Sequence, residues 1–190
     1  MIDAPRNQFS GMASYIRRFP EVAAKAQTIA ANDTIRWAKT RSTEAIQGEL
    51  NVPKAALAGK RFDITQYATP NRPEAVLSAE FAPLNLARFS TVKPGQGVKP
   101  RIQVTPGGAV PDLSHSFYIP GPSGGFGLAV RTKGAMTNSR KARQIGKNLY
   151  ILFGPSVDQA FRTSMPTLVP QVMDQFESNF FRQFARLNRG

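Results

Sequence analysis

His115 is the only histidine among 190 residues, and there is no cysteine. The side chains that most often serve as general bases, thiolate nucleophiles and zinc ligands are therefore almost missing. Ser156 lies in "LYILFGPSVDQAF", residues 149–161, but a nucleophile elbow needs Gly-x-Ser-x-Gly, and here Val157 and Asp158 follow the serine. The lone histidine sits in a Gly/Pro-rich stretch that specifies its position poorly, which disfavours a Ser/His/Asp arrangement. "GPSGGFGLAVRTKG" has the glycines of a phosphate loop without the closing Gly-Lys-Ser/Thr that supplies a lysine and a metal-binding hydroxyl. Asp63, Glu74 and Glu80 lack the i, i+3 or i, i+4 pairing of an acid/base couple or a metal cage. The residues argue against an enzyme, and no cofactor or metal is expected.

Charge is the stronger signal. The formal net charge is +13, and between Glu80 and Asp158 the only acid is Asp112. The same interval holds Arg88, Lys93, Lys99, Arg101, Arg131, Lys133, Arg140, Lys141, Arg143 and Lys147. A positive field favours an anionic partner. Arg131, Lys133, Arg140, Lys141, Arg143 and Lys147, centred on "SRKARQIGK", are the candidate contacts to DNA or to an acidic protein; a solvated arm is the plain alternative. Residues 131–148 contain no aromatic side chain to stack on bases, which disfavours sequence-specific single-strand recognition.

The elements that must position these residues follow from periodicity. "PEVAAKAQTIAANDTIRWAKTRSTEAIQGEL" places Val22, Ala26, Ile29, Ile35, Ala38, Ala45 and Ile46 on one face of a long helix over 20–50, with Pro20 in its first turn. Its length is about 45 Å, more than a domain of this size needs for its own core. The period then changes to two. Strands are expected in "RFDIT", "AVLSAEFA", "RIQVT", "FGLAVRT" and "LYILF", while "STVKPGQGVKP", "PGGAVPDLSHSFYIPGPSGG" and "RTKGAMTNSRKARQIGKN" read as long exposed loops or hairpin arms. In the last segment Val169, Val172, Met173, Phe176, Phe180, Phe184 and Leu187 share a helical face, with Phe181 beside it and Pro166 and Pro170 at the entry. The fold class is α+β in a single domain over 1–190: an N-terminal arm over 1–19, the long helix, a mostly antiparallel sheet with basic loops over 60–153, and a helical segment over 156–190. No stretch approaches the roughly 20 apolar residues of a membrane span, so a soluble protein without membrane partners is expected.

Within this plan "LYILFGPSVDQAF" is a joint. Gly154 and Pro155 end a buried strand, and Ser156 caps the next helix, with Asp158 near its positive end. This joint, the Phe-rich final helix, the upstream "PLNLARF", the "ELNVPKAAL" turn and the Ala-rich helix with "AANDTIRWAKTRSTEAI" occur in an order that resembles the minor tail protein Z family of tailed bacteriophages. The resemblance covers roughly residues 20–187. It implies a non-catalytic tail-completion protein of the virion, assembled in the host cytoplasm, that forms a homo-oligomeric ring at the head-proximal end of the tail. A hexamer is one candidate ring size. Implied partners are neighbouring tail-terminator, tube or neck proteins and, non-specifically, viral DNA. The alternative is a basic nucleic-acid-binding protein that acts without virion partners.

Overall fold

The computed structural model describes residues 13, 17–113, 115–121, 125–133 and 141–189. Among these it contains helix α1 (Pro20–Glu49), strands β1 (Phe62–Gln66), β2 (Val76–Ala79), β3 (Pro83–Asn85), β4 (Ser116–Pro120), β5 (Phe126–Arg131), β6 (Ala142–Gly146) and β7 (Leu149–Ser156), and helix α2 (Val157–Leu187). Short 3₁₀ turns occupy Lys54–Leu57, Gly59–Arg61 and Leu86–Phe89. The α+β class, the long first helix, the mostly antiparallel sheet and the terminal helix are as the sequence indicates. The described residues form two compact units, one of those that fall within Met1–Ser42, Asp63–Ser78 and Ser164–Gly190, the other of those within Thr43–Phe62 and Ala79–Thr163.

In the first unit, α1 buries small residues. Ala23, Ala26 and Ala30 are at most 1% exposed and pack against Phe180 and Phe184 of α2, with Val22, Phe176 and Leu187 around them. The Phe180 and Phe184 rings stack with centroids 6.0 Å apart. Alanine supplies helix propensity and lets the phenylalanines approach the α1 backbone closely. The apolar stripe expected on α1 is thus turned toward Ala23, Ala30 and Thr34, and Val22, Ile29, Ile35 and Ala45 are only half-buried. A polar seam continues the packing: Asn179 Nδ2 donates to buried Thr34 Oγ1 at 2.9 Å, and Gln183 Nε2 donates to Asp33 Oδ2 at 3.1 Å. Asn32 fixes the chain after β1, donating to Ala68 O at 3.0 Å and accepting from Ala68 N at 2.8 Å.

Pro166 and Pro170 lie inside α2, not at its entry. Both are exposed, so the carbonyls that lose an amide partner four residues upstream can bind water, and the helix continues through them.

The second unit is built on a five-stranded sheet ordered β3-β7-β5-β4, with β6 on the other edge of β7. Its described pairs are antiparallel. Two strands lie where loops were expected: β4 in "SFYIP" and β6 in "ARQIG". Conversely, "RIQVT" contributes only an isolated bridge, Ile102 to Ser90. Register assigns the faces. Tyr118 pairs with Leu128, Val130 with Tyr150 and Tyr150 with Gln144, so these residues share one face, and Tyr118, Leu128 and Tyr150 are buried there. Ser90 Oγ donates to Val92 O at 2.6 Å and lies 2.6 Å from the Tyr118 hydroxyl; with its one proton given to Val92, it accepts from the tyrosine.

Candidate functional site

The joint differs from the sequence reading in one respect. Strand β7 does not end at Gly154-Pro155 but runs through both to Ser156, and Pro83 of β3 pairs opposite Ser156. Such an outlying position on a sheet tolerates a proline that has no amide to donate. Ser156 does cap the helix: its Oγ accepts from Gln159 N at 3.1 Å, and Asp158 stands in the first turn, where it also pairs with Arg162 at 2.8 Å. Gly154 has no positive φ. It is needed for space, because a Cβ there would lie 2.8 Å from Phe89 Cε2 and 3.1 Å from Leu86 Cδ2.

Asn85 was missed by sequence reasoning. Its Oδ1 accepts from Ala87 N at 2.9 Å, capping the 3₁₀ turn of "PLNLARF", and from Leu128 N at 3.0 Å, tying that turn to β5. An Asn just before a short helical turn is the available signal, but a turn of one cycle has no periodicity to expose it.

The basic residues divide. Arg140 lies outside the described residues. Arg131 ends β5, Lys133 follows it, Lys141 precedes β6, Arg143 is on β6, and Lys147 is in the turn to β7; all five are exposed. Arg131 pairs with Leu149, and Arg143 pairs with Ile151 on the opposite edge of β7. Because Leu149 and Ile151 are two apart on one strand, both arginines project from the same face, away from Tyr150. Phe117 and Ala129 are paired on that outer face as well. The arginines therefore flank a partly apolar surface and do not form a free loop.

Two grooves adjoin this sheet. One, of about 660 Å³, is bordered by Phe81, Phe153, Pro155 and Arg162 beside the joint. The other, of about 590 Å³, is walled by Pro53, Ala56, Phe126 and Ile151 and carries Arg61 and Arg88. Arg61 pairs with Glu80 at 3.1 Å. Burial holds the Arg88 guanidinium below its ordinary value, and the nearby Arg61 charge acts in the same direction against the opposing effect of Glu80. The two arginines are 27 positions apart in a chain with many basic residues, so sequence spacing gives no hint of the pair.

On α2, Phe180 and Phe184 are buried, and Val169, Val172, Met173, Phe176 and Leu187 are half-buried. Ser156 and His115 are not in hydrogen-bond contact in the described network, and His115 is exposed. Among the described residues no group of three or more His, Asp or Glu could hold a metal ion, and no helix is long and apolar enough to cross a membrane. Comparisons with known protein families, with curated proteins and with solved structures found no match to this chain.

Proposed function

We propose that this chain is a structural subunit of a tailed-phage virion, a tail-completion protein that forms a ring at the head-proximal end of the tail and helps join tail to head. The observation that carries the reading is the ordered set of segments resembling the minor tail protein Z family. Three of those segments pack together in the second unit. Pro53 and Ala56 of "ELNVPKAAL" line one groove with Asn85 and Ala87 of "PLNLARF" and with Phe153 of the joint, while Phe89 fills the space left by Gly154. Segments that carry a resemblance and also form one packing unit support a common fold better than scattered matches do. The role needs no catalytic group or cofactor; it needs surfaces that repeat around a ring and meet the rings above and below.

Mass spectrometry of purified virions tests the reading, together with electron microscopy of a lysate from phage lacking the gene. The expected result is the chain in intact particles and, in its absence, separate heads and tails. Particles that lack the protein, or normal joining without it, overturn the proposal. The second reading, a DNA-binding protein acting alone, draws on the exposed Arg131, Lys133, Arg143 and Lys147. Its signature is retention of duplex DNA in a gel without partners, falling steeply with salt.

A further inference from the structure

Two surfaces of this chain carry opposite local charge beside apolar side chains. The outer face of the five-stranded sheet has Phe117, 37% exposed, with half-buried Ile119, Leu149 and Ile151 at its centre, and Arg131 and Arg143 at its flank. Gly127 and Ala129 lie on the same face and are buried between these larger side chains. On α2, the only charged residues between Arg162 and Arg182 are Asp174 and Glu177. They border Val169 and Met173, which are half-buried. In a chain of net charge +13 this is a locally acidic stretch, with Asp174 exposed and Glu177 half-buried, and Asp174 also interacts within its own chain.

We propose that the outer sheet face of one copy docks on the Val169–Glu177 stretch of α2 in a second copy, with Arg131 and Arg143 facing Asp174 and Glu177. The inference rests on the reading of the chain as a ring-forming subunit and names the contact that would repeat. A helix laid on an open sheet face is a standard way to bury both. Apolar centres with arginine at the margin characterise protein interfaces, and the phosphates of DNA would leave Phe117 and Ile151 without an apolar partner. Charge complementarity selects the orientation: basic faces of two highly positive copies repel, so sheet must meet helix. Two different surfaces make the contact heterologous, which closes into a ring or runs on as a filament.

The experiment uses the purified full chain and measures mass in solution against concentration. Wild type should self-associate. R131E/R143E and D174K/E177K should each weaken association by at least about tenfold, because like charges then face each other. An equimolar mixture of the two variants should regain it, since one contact in the mixture is native and the next is charge-swapped. The neutralising R131Q/R143Q and D174N/E177Q variants should show a smaller loss in the same direction, since they remove the attraction without adding repulsion, and they serve if a reversal unfolds the chain. Folded variants that retain wild-type association, or a mixture that stays dissociated, overturn the proposal. A wild-type chain that is monomeric at the highest attainable concentration also overturns it, while the tail reading is decided separately by virion content. If R131E/R143E keeps its oligomers but no longer retains a random DNA duplex that wild type retains, the face belongs to DNA and the proposal fails.

Discussion

The Phe89 ring occupies the space that a side chain at residue 154 would fill, with Cε2 only 2.8 Å from the position of a Cβ on Gly154. Phe89 is fully buried, so its ring has no open side to move into, and half-buried Leu86 crowds the same point with Cδ2 at 3.1 Å. The glycine is required by its neighbours and not by its backbone. Gly154→Ala should lower stability by about 1–3 kcal/mol, the usual cost of overpacking a filled core. Denaturant unfolding of Gly154→Ala, Phe89→Leu and the double variant checks this: with the smaller leucine side chain in place of the ring, the added methyl should be less costly than it is beside Phe89. An alanine variant with the wild-type midpoint would show that the ring yields freely.

Phe180 and Phe176 should separate by burial. Phe180 is 0% exposed within the Ala23, Ala26 and Ala30 cluster, while Phe176 packs only partly against it. Truncating Phe180 to alanine should cost about 3–5 kcal/mol, and Phe176 clearly less. Equal costs by thermal or denaturant unfolding would mean that the cluster does not set the stability of this unit.

How far the sequence reveals this architecture depends on how regular each signal is. Both long helices, β1 and β5 carry periodic patterns, and β7 opens on the continuous apolar run "LYILF", so all five are legible. Strand β4 alternates as well, with Phe117 and Ile119 opposite Tyr118, but "PGGAVPDL" before it and "GPSGG" after it pull the stretch toward a loop reading. Strand β6 buries only Ala142 and leaves Arg143, Gln144 and Ile145 exposed, so within "SRKARQIGK" it looks like part of a basic arm. The prolines of α2 read as breakers because sequence alone does not tell that both face water. The shared face of Arg131 and Arg143 was the least accessible feature, since it depends on two strands being in register with opposite edges of β7.

The Lys39–Asp63 pair predicts a pH dependence of known sign. Lys39 Nζ lies 2.6 Å from Asp63 Oδ1, which also accepts from Ile64 N at 2.8 Å. The lysine hydrogen bond, then the backbone bond and the lysine charge, hold the Asp63 carboxyl below the usual carboxylate range. A carboxylate with a lowered folded-state pKa stabilises the fold above its unfolded-state pKa, and that contribution disappears as pH falls through the folded value. Lys39→Met should therefore raise the Asp63 titration midpoint, and its stability deficit against wild type should be present at neutral pH and vanish in acid. The pair is exposed, so the deficit should be small and weaker in high salt. Carboxyl NMR titration of both proteins gives the comparison, and an unmoved midpoint would count against the pair.

Ser156 is the residue through which β7 becomes α2. Its hydroxyl satisfies the Gln159 amide, one of the donors that a helix start leaves without an intrahelical partner. Ser156→Ala should cost about 1 kcal/mol, with Ser156→Gly closer to wild type as far as the cap alone is concerned. Hydrogen exchange at Gln159 should accelerate in the alanine variant before exchange in the Phe180 region changes. Uniform acceleration along α2 would indicate loss of the whole helix and not of its cap.

Pro170 offers a substitution expected to stabilise. It stands in the interior of α2, exposed, and its missing amide leaves the Pro166 carbonyl without its helical partner. Alanine at 170 restores that donor and removes the ring's clash with the preceding turn, effects worth about 3 kcal/mol in an unconstrained helix interior. Part of this is offset, because alanine frees the unfolded chain by about 0.4–1 kcal/mol. The helix has also adapted to the ring, so a net gain nearer 1–2 kcal/mol is expected. Pro166→Ala should act in the same direction, since Pro166 is likewise exposed within the helix. Thermal unfolding of each variant measures the gain. A loss of stability on replacing either proline would show that the packing of Val169 and Val172 depends on the backbone path the prolines impose, and that path would then be part of what positions the Asp174–Glu177 surface.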